Sequence, residues 1–122
     1  MPDAGNPNFF TTYKGRYTMT PAANVSLKSN AVMLTCTNFV QFTGDFVLQA
    51  DFGAGVTIAT LPEEVVPVDG AYLSAVHDAK LTLLVVDDAG EISTTEALSA
   101  GTVTPLCYNI AGNFYKQEVQ NG

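Results

Sequence analysis

Short runs of alternating apolar and polar residues, separated by turn residues, make up most of this 122-residue chain. From Gly15 onward the runs are typical of half-buried strands, whose side chains point alternately to the two faces of a sheet. They recur about every eight to twelve residues, which is typical of a β-sandwich or barrel. Only residues 94–101 resemble the start of a helix, and Gly101 ends it within one turn. We therefore expect an all-β, single-domain antiparallel β-sandwich or jelly-roll of about ten short strands.

Turn signals separate the predicted strands. Thr43-Gly44-Asp45 and Gly53-Ala54-Gly55 interrupt the first half of the chain, and Asp88-Ala89-Gly90 predicts a hairpin of the glycine-containing kind. The strand-like runs cover residues 16–20, 24–28, 31–42, 46–52, 56–60, 71–78, 80–88, 91–94, 102–110 and 113–119.

The first fourteen residues differ from the rest of the chain. They are rich in Pro, Gly and Asn, so we expect residues 1–14 to be an N-terminal arm or linker and residues 15–122 to be the β domain. The arm ends in Phe9, Phe10 and Tyr13, which favour burial, either against this chain's core or against a neighbouring copy.

Charge excludes two classes of partner. The chain has five Lys and Arg against twelve Asp and Glu, a net charge of −7, and no basic cluster. Nucleic acid and anionic membrane surfaces are therefore not expected partners. Only 14% of the residues are charged, against about 25% in an ordinary soluble domain, which favours a chain that buries part of its surface in an oligomer. We find neither a membrane-spanning apolar run nor the features of a secretory signal at the start.

Two cysteines, Cys36 and Cys107, each fall inside a strand-like run without a nearby histidine. The spacing indicates buried structural thiols rather than a metal site. A disulfide requires that the two strands be neighbours, and the sequence leaves that open.

The single histidine, His77, is the first candidate for catalysis, with Ser74 and Asp78 nearby in sequence. On a strand, Ser74 and His77 point to opposite faces, as do His77 and Asp78, so we expect a polar residue at a strand end rather than a catalytic base. The adjacent pair Glu63-Glu64 is a poor match to a glycosidase, whose two carboxylates must flank the scissile bond.

The remaining chemical candidates are turn residues. Asp87-Asp88 with Glu91 resembles a fragment of a calcium loop but lacks its spacing, so acidic hairpin residues are the simpler interpretation. Gly53-Ala54-Gly55 precedes a strand rather than a helix and offers no phosphate site. We therefore expect no catalytic, cofactor-binding or metal-binding residues, and a protein that is not an enzyme.

The aromatic residues are all Phe and Tyr. Exposed tyrosines can stack on sugar rings, whereas packing in the core or in a subunit interface is the commoner role. The five candidates are Tyr13, Tyr17, Tyr72, Tyr108 and Tyr115.

The stretch "TIATLPEEVVPVDG", residues 57–70, interrupts two strand-like runs with prolines. Pro62 and Pro67 each lack an N–H and disfavour helix in the preceding residue, so we expect a stiff crossover at a sheet edge. Residues 24–93, with Leu61-Pro62, Pro67 and the following hairpin, resemble phage fibre and receptor-binding proteins. Where those proteins carry an aromatic-Arg pair before the second proline, this chain has Val65-Val66.

The resemblance implies a non-enzymatic phage fibre or receptor-binding domain that is trimeric, associates with other virion proteins and attaches to a host-surface saccharide. Its expected location is the virion, assembled in the host cytoplasm. No ligand-contacting residue can be transferred through the resemblance. The alternative is a bacterial extracellular carbohydrate-binding or adhesin-like β module, which would be monomeric.

Overall fold

The computed structural model describes residues 15–28, 32–36, 39–67 and 69–109, and these residues form strands, turns and one short 3-10 helix, Glu63–Val65. The predicted all-β fold is confirmed. The predicted arm, residues 1–14, and the predicted last strand, residues 113–119, lie outside the described part. The strands are β1 Gly15–Thr18, β2 Thr20–Pro21, β3 Val25–Lys28, β4 Val32–Cys36, β5 Phe39–Phe42, β6 Asp45–Leu48, β7 Thr57–Thr60, β8 Ala71–His77, β9 Lys80–Val86, β10 Glu91–Thr94, β11 Gly101–Pro105 and β12 Cys107–Asn109.

The larger sheet has eight strands in the order β2-β7-β10-β9-β8-β11-β6-β3, and all its neighbours are antiparallel. Its two outermost strands, β2 and β3, are consecutive in the chain and are joined by residues 22–24 alone. A connection this short brings the two edges together, so the sheet curls into a nearly closed barrel. Asn24 takes a positive φ of 63° in this connection, a conformation that asparagine tolerates better than most residues.

The smaller sheet, β12-β5-β4-β1, continues strands of the barrel. Strand β5 leads into β6 after two residues, and β11 leads into β12 after Leu106 alone. We count β1 with β2, β3 with β4, β5 with β6, and β11 with β12 as one long strand each. On this count, β1 to β7 form a four-stranded Greek key, and β8 to β12 form a second one. Two Greek keys joined in one nearly closed barrel fit the predicted single-domain, antiparallel, sandwich-like class.

The interior of the barrel is apolar. Side chains from both Greek keys are fully buried there, which is the main favourable term in folding. The largest of these side chains are Phe46, Leu48, Ile58, Leu73, Leu84 and Ile92.

The proline-containing crossover, residues 61–70, joins the two Greek keys and closes one end of the barrel. Leu61, Val65 and Val66 are buried in the core cluster, while Glu63 and Glu64 are exposed. The expected position at a sheet edge is wrong, because β7 and β8 are each paired on both sides. The prolines follow the end of β7 in a connection, where a missing N–H costs no ladder hydrogen bond.

The β8–β9 hairpin has a two-residue turn, Asp78-Ala79, with φ values of 53° and 63°. Two positive φ angles define a type I′ turn, which favours glycine. We expect Ala79→Gly to raise stability by about 0.5–1 kcal/mol, because relief of the left-handed alanine outweighs the added freedom of the unfolded chain. Thermal unfolding measures this as a rise in Tm of about 2–4 °C.

The matched control is Ala89→Gly in the next hairpin, since Ala89 is also exposed but does not have a positive φ. That substitution should leave stability unchanged or lower it slightly. If both variants shift the Tm in the same direction, the type I′ assignment does not explain the result.

Candidate functional site: the outer apolar face

The outer surface of strands β8 and β9 is unusually apolar. Tyr72 is 65% exposed, Leu81 is 74% exposed and Leu83 is 42% exposed. The antiparallel register places Val85 opposite Tyr72, and Leu81 opposite Val76, on this same surface. We call Tyr72, Val76, Leu81, Leu83, Val85 and the neighbouring Leu106 the outer apolar face.

Strand β9 reverses the usual alternation over part of its length. Thr82, at 8% exposure, points inward and its hydroxyl donates to Glu96 Oε2 at 2.7 Å, while the leucines on either side of it point outward. The buried Leu84 and Val86 fix this register, because a shift by one residue would expose both. Two leucines on the outside of a sheet with one threonine between them inside make the outside a candidate binding surface.

The face extends to Leu106, the single residue between β11 and β12. The Leu106 N–H donates to the Ser74 carbonyl oxygen at 2.9 Å, so Leu106, at 40% exposure, lies beside the middle of β8. The outward positions of β8, β9 and β11 carry no charge at all. In a chain with a net charge of −7, this neutral surface is one that a second copy can approach without like-charge repulsion.

An open cleft of about 540 Å³ borders the face where β9 ends. Its lining includes Tyr72, Asp69, Asp87 and Asp88. The Asp87 carboxylate is committed to the turn, since its Oδ1 accepts the N–H groups of Ala89 and Glu91, both at 2.9 Å. Within the described residues, no group of three His, Cys, Asp or Glu side chains is arranged to hold a metal ion.

These two hydrogen bonds indicate that Asp87 stabilises the turn of the hairpin. We expect Asp87→Ala to destabilise the fold by about 1.5–3 kcal/mol, because two backbone N–H groups lose a charged acceptor. Asp87→Asn, which keeps an oxygen acceptor, should cost less. We also expect added calcium to leave the Tm of the unmodified protein unchanged, and a rise in Tm with calcium would contradict the turn assignment.

His77 is the last residue of β8, as expected for a polar residue at a strand end, and it is largely buried. Its Nδ1 lies 2.9 Å from the Thr102 carbonyl oxygen, which only accepts, so Nδ1 carries the proton. Nε2 lies 3.3 Å from Ser99 Oγ and in the neutral ring accepts from that hydroxyl. Ser74 and Asp78 are both exposed, whereas the hydrogen bonds of the His77 ring go to Thr102 and Ser99.

The surroundings of His77 favour a structural role. A pocket of about 410 Å³ there is lined by acidic Asp78 and Glu96 together with Lys80. The Ala100 N–H that follows Ser99 is held by Asp51 Oδ1 at 2.9 Å, so it does not face a substrate oxyanion. His77 therefore ties the loop before β11 to the end of β8. Sequence reasoning missed Ser99, because the two residues are 22 positions apart and only the fold joins them.

The other candidates are separated by the fold. Cys107 is a free thiol, and its strand β12 and the Cys36 strand β4 lie on opposite sides of β5. The two strands are thus not neighbours, and the requirement for a disulfide is not met. Glu63 and Glu64 are both exposed on the crossover. Gly53-Ala54-Gly55 is an exposed turn.

The tyrosines fall into two groups. Tyr17 packs against the core, the commoner role, whereas Tyr72 presents its ring to solvent. Tyr108 lies on β12, and Tyr13 and Tyr115 lie outside the described residues.

No helix in the described part of the chain is long and apolar enough to cross a membrane. The chain matches no protein-family model, and no curated protein is significantly similar to it.

Proposed function

We propose that this protein is a non-enzymatic structural domain of a phage virion, a fibre or receptor-binding domain that works as a homotrimer. The observation that carries the proposal is the outer apolar face, since monomeric proteins rarely expose contiguous apolar surface of this kind outside binding sites. The low share of charged residues supports the same reading. The other partners proposed are further virion proteins, and neither nucleic acid nor membrane insertion is part of the proposal.

The compact double Greek key suits a structural role, and the Leu61-Pro62 crossover contacts the β9–β10 hairpin through a 2.8 Å hydrogen bond from the Leu61 N–H to the Gly90 carbonyl. The two pieces on which the resemblance to phage fibre proteins rests are thus adjacent in space. Virion location follows from that resemblance. The proposed receptor is a host-surface saccharide, for which the exposed Tyr72 ring offers a stacking surface.

Light scattering on the purified chain tests the trimer directly. We expect a mass near three times 12.9 kDa at micromolar concentration. A mass of one chain would contradict the proposal, because the outer apolar face would then be stable without a second copy.

The second candidate function is a monomeric extracellular carbohydrate-binding module, and Tyr72 beside the 540 Å³ cleft is the observation that favours it. On a glycan array, Tyr72→Ala should weaken a saccharide signal by up to about tenfold, whereas Tyr72→Phe, which keeps the ring, should retain it. A monomer that binds glycans through Tyr72 favours this candidate over the trimer. An unchanged signal from Tyr72→Ala removes Tyr72 from either proposal.

A further inference from the structure

The aspartates of this chain differ in what holds the carboxylate and in which residue follows. Asp69, at the end of the crossover, is exposed and is followed by Gly70. Its carboxylate has no hydrogen bond to any other described residue. The Asp87 carboxylate, in contrast, accepts two backbone N–H groups, and the Asp51 carboxylate accepts the Ala100 N–H at 2.9 Å. Asp69 therefore combines an unheld carboxylate with a neighbour that has no side chain.

The backbone nitrogen of Gly70 is the second half of this site. Its N–H reaches the Pro67 carbonyl oxygen only at 3.4 Å, beyond the range of about 2.7–3.2 Å for an ordinary hydrogen bond. In the next hairpin the corresponding nitrogen, that of Ala89 after Asp88, donates to Asp87 Oδ1 at 2.9 Å. A firmly held N–H is poorly placed to react. The Gly70 nitrogen is weakly held, and without a Cβ beside it a carboxyl carbon can approach closely.

The Asp69 carboxyl and the Gly70 nitrogen can react with each other without a further reagent. The nitrogen attacks Cγ of the neutral carboxyl, so that an N–Cγ bond forms and the Cγ–OH bond breaks. The N–H proton and the hydroxyl leave together as one water, and the product is a cyclic succinimide. One water then opens the ring. When it adds to the backbone carbonyl carbon of Asp69, the main chain afterwards runs through Cγ, as an isoaspartate, with no net change in mass.

The surroundings of Gly70 determine what this change does to the fold. Gly70 has a φ of +79°, and a Cβ on it would lie 2.8 Å from the Val86 carbonyl oxygen. The pair Ala71 and Val86 begins the β8–β9 ladder directly beside it. An extra main-chain carbon at Asp69 therefore meets little free space, and this end of the ladder must shift. Asp69 and Gly70 also line the open cleft beside Tyr72, so the cleft changes shape with them.

We infer that Asp69-Gly70 is a site of spontaneous isomerisation to isoaspartate in the folded protein, and that this modification loosens the junction between the crossover and β8. The inference goes beyond the proposed function, because it requires neither the trimer nor a bound saccharide.

Peptide mass spectrometry after several weeks at physiological temperature and neutral pH tests the site in the full-length protein. We expect a second peptide of unchanged mass that contains residues 69–70, elutes separately and resists a protease that cuts before aspartate. Asp69 should convert at least about tenfold faster than Asp78 or Asp88, a difference of about 1.4 kcal/mol in the activation free energy. Asp69→Glu, which would have to close a larger ring, should abolish the second peptide, whereas Asp88→Glu should retain it.

The urea-unfolded protein shows whether the fold permits the reaction. An Asp69 that converts in urea but stays unmodified in the folded sample would overturn the inference, because the fold would then protect the site. Equal conversion of Asp69, Asp78 and Asp88 in the folded sample would also overturn it. Deamidation of Asn121-Gly122, outside the described residues, is told apart by the mass that it adds.

Thermal unfolding of the aged samples tests the consequence for the fold. The Tm should fall as the isomerised fraction grows, and it should stay constant in Asp69→Glu aged in parallel. A Tm that does not depend on the isomerised fraction would show that the junction accommodates the extra carbon, against the second half of the inference. These readouts are independent of the mass found by light scattering, so this inference and the trimer can fail separately.

Discussion

Replacement of Gly90 by alanine is expected to remove about 2–4 kcal/mol from the free energy of unfolding. Gly90 has a φ of +88°, which costs an L-residue about 1–2 kcal/mol. An added Cβ would also lie 2.9 Å from Val66 Cγ2 and 3.2 Å from the Leu61 carbonyl oxygen. Because both neighbours belong to the buried crossover, little room exists for them to move, and overpacking of this kind costs about 1–3 kcal/mol more.

Two other glycines distinguish the cost of the positive φ from the cost of the steric contact. Gly55→Ala meets a φ of +75° but open space, so it should lose only about 1 kcal/mol. Gly53→Ala meets open space without a positive φ and should stay within about 0.5 kcal/mol of the unmodified protein. Urea unfolding with an unchanged m-value measures all three. Equal losses for Gly90→Ala and Gly55→Ala would show that the crossover does not pack against the hairpin as described.

Leu81→Glu combined with Leu83→Glu is expected to convert the proposed trimer into monomers. Each leucine contributes about 2 kcal/mol when buried, so the dissociation constant should rise at least about 100-fold. The introduced charges also repel those of the other copies in a chain that is already acidic. Both side chains are solvent-exposed within one chain, so the monomer itself should remain folded.

Light scattering and thermal unfolding on the same sample give the readout. Val56→Glu is the control, because Val56 is 38% exposed but lies before β7, outside the face. A trimer that survives the double substitution would show that copies meet through another surface. A double variant that unfolds, while Val56→Glu does not, would require the milder pair Leu81→Thr and Leu83→Thr before any conclusion about assembly.

Much of the fold could be predicted from local pattern. The alternation in residues 71–78 and 80–88 predicts β8 and β9, and Asp88-Ala89-Gly90 predicts the hairpin that follows, with Gly90 at a positive φ. The one weak helical signal, residues 94–101, fails because Thr94 ends β10 and is buried, where its hydroxyl donates to the Gly53 carbonyl at 2.7 Å. A capping residue and a buried loop anchor look alike in sequence.

The candidate site was harder to predict, because the local pattern does not distinguish buried from exposed apolar residues. The run "KLTLLVV" is apolar on both sides of a strand, so it does not say which leucines face the core. Tyr72 was among five equivalent tyrosines, and nothing in its neighbours marked it as the exposed one. The type I′ turn at Asp78-Ala79 was also hidden, because it lacks the glycine that such turns favour.

The sequence by itself determined the class of structure: all-β, antiparallel and cut by glycine and proline turns. These features follow from side-chain periodicity and turn chemistry, which act between residues close in the chain. The tertiary structure alone decided which strands are neighbours. This strand order separates Cys36 from Cys107 and brings His77 next to Ser99. It also buries the proline crossover and leaves Leu81 and Leu83 exposed. Each depends on pairing between distant segments, which a linear pattern does not encode.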